Sequence, residues 1–225
     1  MEDGNLMINI IYEDNHLLVV EKPINVPVQA DSSEDLDLLT QLKQYLKEKY
    51  GKPGNVYLGL VHRLDRPVGG VMVFAKTSKS ASRLSDIVRK NEMKKIYYAV
   101  LEGKAKDKDH LVDYLLKDEV KNISKVDQNG KEAILDYELV DYNDGLSLVK
   151  ISLKTGRSHQ IRVQFSSRNL PLYGDQKYNK NAKAGEQIAL FAKELEFVHP
   201  VTKEPMKFKC LPKGNLWEKL DLNNL

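Results

Sequence analysis

Short apolar runs separated by polar turns recur along the whole chain, and their spacing predicts the elements. Ile8, Ile10 and Ile11, then Leu17 to Val20, read as two short strands around Asp14-Asn15, with Pro23 and Pro27 ending regular structure. Between residues 34 and 50, Leu38, Leu39, Leu42, Tyr45 and Leu46 recur at helical spacing. Ser33 can cap the start of that helix, and Gly51 with Pro53 ends it. Residues 56–61 form an expected strand leading into His62-Arg63-Leu64-Asp65, and residues 70–75 form another apolar run. Thr77 then caps a helix whose buried face carries Ala81, Leu84, Ile87 and Val88. Residues 95–101 return as a strand. Residues 104–130, the most polar stretch, alternate Lys and Asp and are expected to form a hairpin or flap with a tight turn at Asn129-Gly130. Strands at 133–140 and 146–153 join at Asn143-Asp144-Gly145. A short helix is expected at 158–168, and 188–197 with 205–211 close the chain as a strand pair. Strands outnumber helices and several are joined by hairpin turns. This predicts a mainly antiparallel α+β domain rather than a doubly wound parallel sheet.

Composition narrows the class without naming a function. The 225 residues, 41% hydrophobic and 30% charged, suffice for a buried core in a single domain spanning 1–225, with the flap at about 104–130. One cysteine, Cys210, excludes an intramolecular disulfide framework and a multi-cysteine zinc site. No apolar run is long enough to predict a membrane span. Met1 to Asn5 lack the basic start and apolar stretch of a secretory signal, so a cytoplasmic protein is expected. The net charge of +3, from 35 basic and 32 acidic residues, permits nucleic-acid binding through a local patch without demanding it.

Three polar clusters fall at the ends of apolar runs, where loops project from a scaffold. His62-Arg63-Leu64-Asp65-Arg66 sets one carboxylate among two arginines and a histidine, and nearby cations favour the ionised form of Asp65. An ordinary salt-bridged surface loop has the same composition. In Thr155-Gly156-Arg157-Ser158-His159-Gln160-Ile161-Arg162, a glycine turn and two arginines could take up an anion such as phosphate. The same residues could equally be a capped amphipathic helix with Ile161, Val163 and Phe165 partly buried. Strand alternation puts Lys95, Tyr97 and Ala99 on one face, where a tyrosine could stack on a base or simply pack in the core. A phosphate-loop lysine motif, a dinucleotide glycine fingerprint and a nucleophile-elbow serine are all missing, and the five histidines lack metal-ligand spacing.

Taken in order, His62-Arg63-Leu64-Asp65, Lys95-x-Tyr97-x-Ala99, Gly156-Arg157-x-His159-Gln160-Ile161-Arg162 and Gly174-Asp175-x-x-Tyr178 resemble the RluA family of pseudouridine synthases. The opening Ile11-Tyr12-Glu13-Asp14 through Val19-Val20-Glu21-Lys22-Pro23 is similar to that family's first block, so the likeness runs from about Ile11 to Pro212. The resemblance implies a mixed, largely antiparallel sheet with flanking helices and loops. It implies an RNA substrate, ribosomal or transfer, and neither a metal nor an organic cofactor. By matched position, Asp65 is the essential catalytic aspartate, Tyr97 the tyrosine against the target base, and Arg162 the arginine that pairs with the aspartate. His62, Arg63, Arg157, His159 and Gln160 are the expected substrate-binding residues. After HRLD the family commonly shows Thr-Ser-Gly, where this chain has Arg66-Pro67-Val68-Gly69-Gly70. Pro67 stiffens the loop and two hydroxyls are missing. The catalytic pattern starts within about a dozen residues of Met1, so an S4-type RNA-binding domain ahead of it is not expected.

Lys76, Lys79, Arg83, Arg89, Lys90, Lys94 and Lys95 form a basic stretch, part of which is expected to contact RNA phosphates; a solvated helix face reads the same way. Three alternatives compete with an isomerase: a catalytically silent RNA-binding protein, an RNA hydrolase using His62 or His159, and a glycosidase or nucleosidase using Asp65. A monomer is expected, since no long apolar stripe is left unassigned.

Overall fold

The computed structural model of the protein describes residues 8–31 and 33–218. In chain order the elements are β1 (Asn9–Glu13), β2 (Leu17–Lys22), α1 (Leu38–Lys49), β3 (Gly59–Leu60), β4 (Gly69–Ala75), α2 (Ser78–Arg89), β5 (Lys94–Glu102), β6 (Lys108–Asp118), β7 (Ile123–Val126), β8 (Lys131–Asn143), β9 (Leu146–Leu153), α3 (Gln160–Ser166), β10 (Leu190–Val198), β11 (Pro205–Lys209) and α4 (Asn215–Glu218). They fall into two compact units. The first takes the chain through Met93 and adds Glu194–Cys210; the second is Lys94–Lys193 with the stretch after Cys210.

In the first unit β1 pairs antiparallel with β2, β2 with β4, and the short β3 with β4. The second half of β10 pairs with β11. Leu17 to Val20 and every residue of β4 are buried. Both strands are covered on both faces, which is why each reads as a continuous apolar run rather than an alternation. Leu17, Val19, Val71, Val73 and Ala75 share a core with Leu84 of α2 and with Leu195, Phe197 and Phe208. The β1–β2 turn is built around Asp14, whose Oδ1 accepts the N–H groups of His16 and Leu17, both at 2.7 Å. Its Oδ2 meets Nε2 of His199 at 2.9 Å, while Nδ1 of that buried ring accepts the N–H groups of Val201 and Thr202. With Nδ1 an acceptor twice over, the proton of His199 sits on Nε2.

Two expectations shift here. Helix α1 starts at Leu38 and is capped by Asp37, whose carboxylate takes both the N–H and the hydroxyl of Thr40. Ser33 instead donates to Asp31 in the turn before it. A carboxyl group one residue before the helix, with two oxygens in reach of Thr40, outcompetes a hydroxyl five residues upstream. Of the strand expected at 56–61, only Gly59–Leu60 pairs with a neighbour. Thr77 does cap α2, accepting from the N–H of Ser80.

In the second unit five antiparallel strands lie in the order β5-β9-β8-β6-β7, so that β9 comes between β5 and β8 and β6 lies between β8 and β7. The polar 104–130 stretch contributes the β6–β7 hairpin. Asn129-Gly130 lies in the next turn, between β7 and β8, closed by Gly130 N–H to Asp127 C=O at 2.9 Å. Residues Gln160 to Phe165 of α3 are all buried, the polar ones included. Phe165 packs edge-on against Tyr137 of β8 at 5.1 Å between ring centroids, and Val163 joins Leu115 and Ala133. A helix of seven residues is too short to persist alone, so tertiary contact makes this one. The observed architecture is α+β, with antiparallel pairing in both units.

Candidate functional site

Of the eight residues singled out above, His62, Arg63 and Asp65 belong to the first unit. Tyr97, Arg157, His159, Gln160 and Arg162 belong to the second.

In the first unit, Asp65 opens a tight turn: the N–H of Val68 donates to the Asp65 carbonyl at 2.9 Å, across Arg66 and Pro67. Proline fixes the backbone of that turn. Lys22, at the end of β2 and 1% exposed, clamps the loop from beneath. Its Nζ donates to the carbonyls of Pro23 (2.9 Å), Arg66 (2.9 Å) and Val68 (2.8 Å), one acceptor for each ammonium hydrogen. Burial pulls the Lys22 pKa down to about 7, against the attraction of the Asp65 carboxylate and with the repulsion of Arg66. Lys22 is thus a cation beside Asp65 that motif reading passed over. Its signal was a lysine that follows the apolar run Leu17 to Val20 and directly precedes Pro23. Arg66 does not play the role its neighbourhood in sequence suggested: its guanidinium turns away to Asp35 and, at 3.7 Å, Asp31. His62 accepts the Val73 N–H on Nε2 at 3.1 Å, which ties the ring to β4. Arg63 is exposed and has neither ion pair nor hydrogen bond among the described residues.

In the second unit, Arg162 projects from α3 and is 4% exposed. Asp175 grips it through two bonds, Nε to Oδ2 at 2.9 Å and Nη2 to Oδ1 at 2.6 Å, the planar fork geometry that arginine and carboxylate share. The Tyr178 ring lies against the guanidinium, 5.1 Å from centroid to Cζ. Gly174 makes the approach of Asp175 possible. Its φ is +68°, and a Cβ there would stand 2.3 Å from the Gln187 carbonyl oxygen. His159 adopts a left-handed backbone (φ 52°), and its Nδ1 lies 2.6 Å from the Tyr178 hydroxyl. That hydroxyl also receives the Ser124 N–H of β7 at 2.8 Å. Asp175 and Tyr178 are therefore built into the framework of Arg162 and His159, a role that spacing alone did not assign.

Gln160 is a brace. Its Oε1 accepts from Thr155 Oγ1 and Arg157 N, and its Nε2 donates to the Ile134 carbonyl and Gln164 Oε1, which uses the full capacity of the amide. Arg157 is exposed, with Nε donating to the Glu132 carbonyl at 2.7 Å. Tyr97 is 8% exposed in β5, paired with Ile151 of β9. The basic stretch is not uniform. Lys76 pairs with Glu13, Arg83 donates to the Pro200 carbonyl, and Arg89 and Lys90 both pair with Asp86. Lys95 alone of the stretch is buried, on β5.

Among the described residues no group of His, Cys, Asp or Glu is arranged to hold a metal ion, and no helix is long and apolar enough to cross a membrane.

An ionisable carboxylate on a clamped turn, and a buried arginine locked by a carboxylate and a tyrosine, are parts for electrostatic and acid–base work on an uncharged or anionic substrate. The fold is that of solved pseudouridylate synthases. Human RNA pseudouridylate synthase domain containing 4 superposes with a TM-score of 0.80 at 22% identity, covering 95% of this chain and 94% of that one. Residues 16–167 match the RNA pseudouridylate synthase family, and the chain belongs to that family, in its RluA-type branch. Ribosomal large subunit pseudouridine synthase C of Vibrio vulnificus is 33% identical over 219 residues, 94% of this chain and 67% of the relative. An uncharacterized RNA pseudouridine synthase of Bacillus subtilis is 32% identical over 201 residues, 88% and 66% respectively. The chain spans about two thirds of the length of these curated relatives.

Proposed function

We propose that this chain is an RNA pseudouridine synthase that isomerises uridine in large-subunit ribosomal RNA, with Asp65 as its essential carboxylate. The observation that carries the reading is the family match across residues 16–167, which contains the whole His62-Arg63-Leu64-Asp65 block and the Gly156-to-Arg162 block. The ribosomal substrate is supported by the name of the Vibrio relative.

In the reaction the N1–C1′ bond breaks, the uracil turns, and a C5–C1′ bond forms. The C5 hydrogen leaves and N1 takes one up, so composition is unchanged. A stacked base cannot turn, so the nucleotide first leaves the helix at a cost of a few kcal/mol. Cations on flanking phosphates offset that cost, and Arg63, exposed and unpaired among the described residues, suits the task. Asp65 acts ionised, as nucleophile or as base. Tyr97 lies against the loosened uracil, Arg162 supplies the cation of that step, and His62, Arg157 and His159 contact the RNA. Gln160 supports them through the turn it braces. The enzyme needs no metal or organic cofactor, works as a monomer and belongs in the cytoplasm.

The test is tritium release from RNA labelled at C5 of uridine, with ribosomal and transfer RNA from a strain lacking the gene as separate substrates. Wild type should release tritium from ribosomal RNA and Asp65→Ala should not. Release from transfer RNA alone would reassign the substrate. Shortened strands or free uracil would point to a hydrolase instead.

A further inference from the structure

Lys95 is 8% exposed, yet its ammonium has neither hydrogen bond nor ion pair among the described residues. Burial lowers its pKa with no opposing partner. A buried cation without a counter-charge is costly and rare, and it is informative where it persists. Its surroundings are specific. A Cβ built on Gly156 would lie 3.5 Å from Lys95 Nζ and would meet nothing else within 4 Å. The φ of Gly156 lies outside the left-handed region, so the backbone does not require glycine there. What glycine provides is open space in front of the ammonium. The same turn carries further donors without partners among the described residues: the N–H groups of Gly156 and Ser158 and the Ser158 hydroxyl. Next to them Arg157 is fixed only through Nε, on the Glu132 carbonyl. Lys154, the nearest lysine in sequence on this side of the turn, is by contrast already paired with Asp136.

We propose that Lys95 and the Gly156–Ser158 turn form a phosphate site that takes one backbone phosphodiester of the bound RNA. This rests on the RNA reading above and names the group that this corner of the second unit receives. The anion supplies the counter-charge that the fold withholds from Lys95, so the ammonium is desolvated in advance and interacts strongly when the phosphate arrives. Within the basic stretch, Lys76, Arg83, Arg89 and Lys90 are already engaged by the protein and Lys79 is exposed to solvent, whereas Lys95 would meet its phosphate away from bulk water.

The test measures affinity of the full chain for a single-stranded uridine-containing RNA oligonucleotide by fluorescence anisotropy, across a salt series. Wild type is compared with Lys95→Met, which keeps the volume and removes the charge, and with Gly156→Ala, which keeps the charge and covers its approach. Tritium release and thermal unfolding, with and without inorganic phosphate, are measured in parallel. Both variants should stay folded, and Lys95→Met should be as stable as wild type or more so, since it removes an uncompensated charge. In both, the slope of log affinity against log salt should fall in magnitude by about 0.7, the loss of one single-strand phosphate contact. Equal slopes in wild type and Lys95→Met would overturn the site, even if wild type releases tritium. A slope reduced in Lys95→Met, with a wild type that releases no tritium, would keep the site and sink the isomerase instead. Stabilisation by inorganic phosphate that Lys95→Met abolishes, with RNA slopes unchanged, would assign the ammonium to a free anion and overturn the RNA assignment.

Discussion

Replacing Lys22 by Met removes the clamp under the Asp65 turn while keeping a side chain of similar length. Three carbonyls lose their donor. The Val68 carbonyl bond is buried, and stranding that oxygen costs about 1–3 kcal/mol. The Pro23 and Arg66 bonds are only part-buried, so water recovers much of theirs. Against these losses stands relief from holding a desolvated ammonium. The net expectation near neutral pH is a loss of about 2 kcal/mol. The pH dependence is more diagnostic. The pKa of Lys22 is about 7 in the folded protein against 10.5 for a free lysine. Between those values the unfolded chain holds a proton that the folded chain has released, so this group makes stability rise with pH across the window. The maximal slope is about 1.4 kcal/mol per pH unit. Lys22→Met lacks that rise, so its deficit relative to wild type should widen by about 1–3 kcal/mol from about pH 7 to about pH 9. Urea unfolding of both proteins at several pH values measures it, with tritium release recorded alongside. A deficit that stays constant or shrinks would refute the burial argument and mean that the three carbonyls keep the ammonium charged. A variant as stable as wild type at neutral pH, with full activity, would refute the clamp itself.

The remaining predictions concern other parts of the framework. Burial alone would raise the pKa of Glu13, but hydrogen bonds from Lys49, Lys76, Tyr50 and Tyr45 outweigh it and hold the carboxyl at about 2. Its contribution to stability is therefore present above its unfolded value near 4.5 and is lost as pH falls towards 2; Glu13→Gln should flatten the acid limb of the stability curve, and an unchanged limb would dismiss the cluster as a stabiliser. Asp175→Asn breaks a buried bidentate pair and should destabilise by about 3 kcal/mol, with the Tyr178 ring limiting the damage; an unchanged unfolding midpoint would rule out the pair as the anchor of Arg162. Asp65→Ala should abolish tritium release with little change in stability, because its side chain is only half-buried and the turn is closed by its backbone carbonyl.

What could be read from the chain alone was whatever repeats at short range. Leu17 to Val20 of β2 and the whole of β4 carry no polar side chain because both faces are covered, and α2 shows its cap and stripe within twelve residues. The paired blocks at 62–65 and 156–162 were likewise legible, since each is contiguous. The sequence points to Ser33 as the cap of α1, but Asp37, four residues on and next to the helix, is the acceptor used. The rest depends on partners remote in sequence. Lys22 reaches carbonyls 44 and 46 residues away, Gly174 presses against the Gln187 carbonyl, and Arg66 finds Asp35 rather than Asp65. In the sequence Lys95 is one cation among seven of the basic stretch; the fold buries it without a counter-ion among the described residues. Periodicity and motif record which residue types a local backbone needs. Which charges are paired and which are left waiting is set by burial and by contacts between distant segments, and only the tertiary structure decides those.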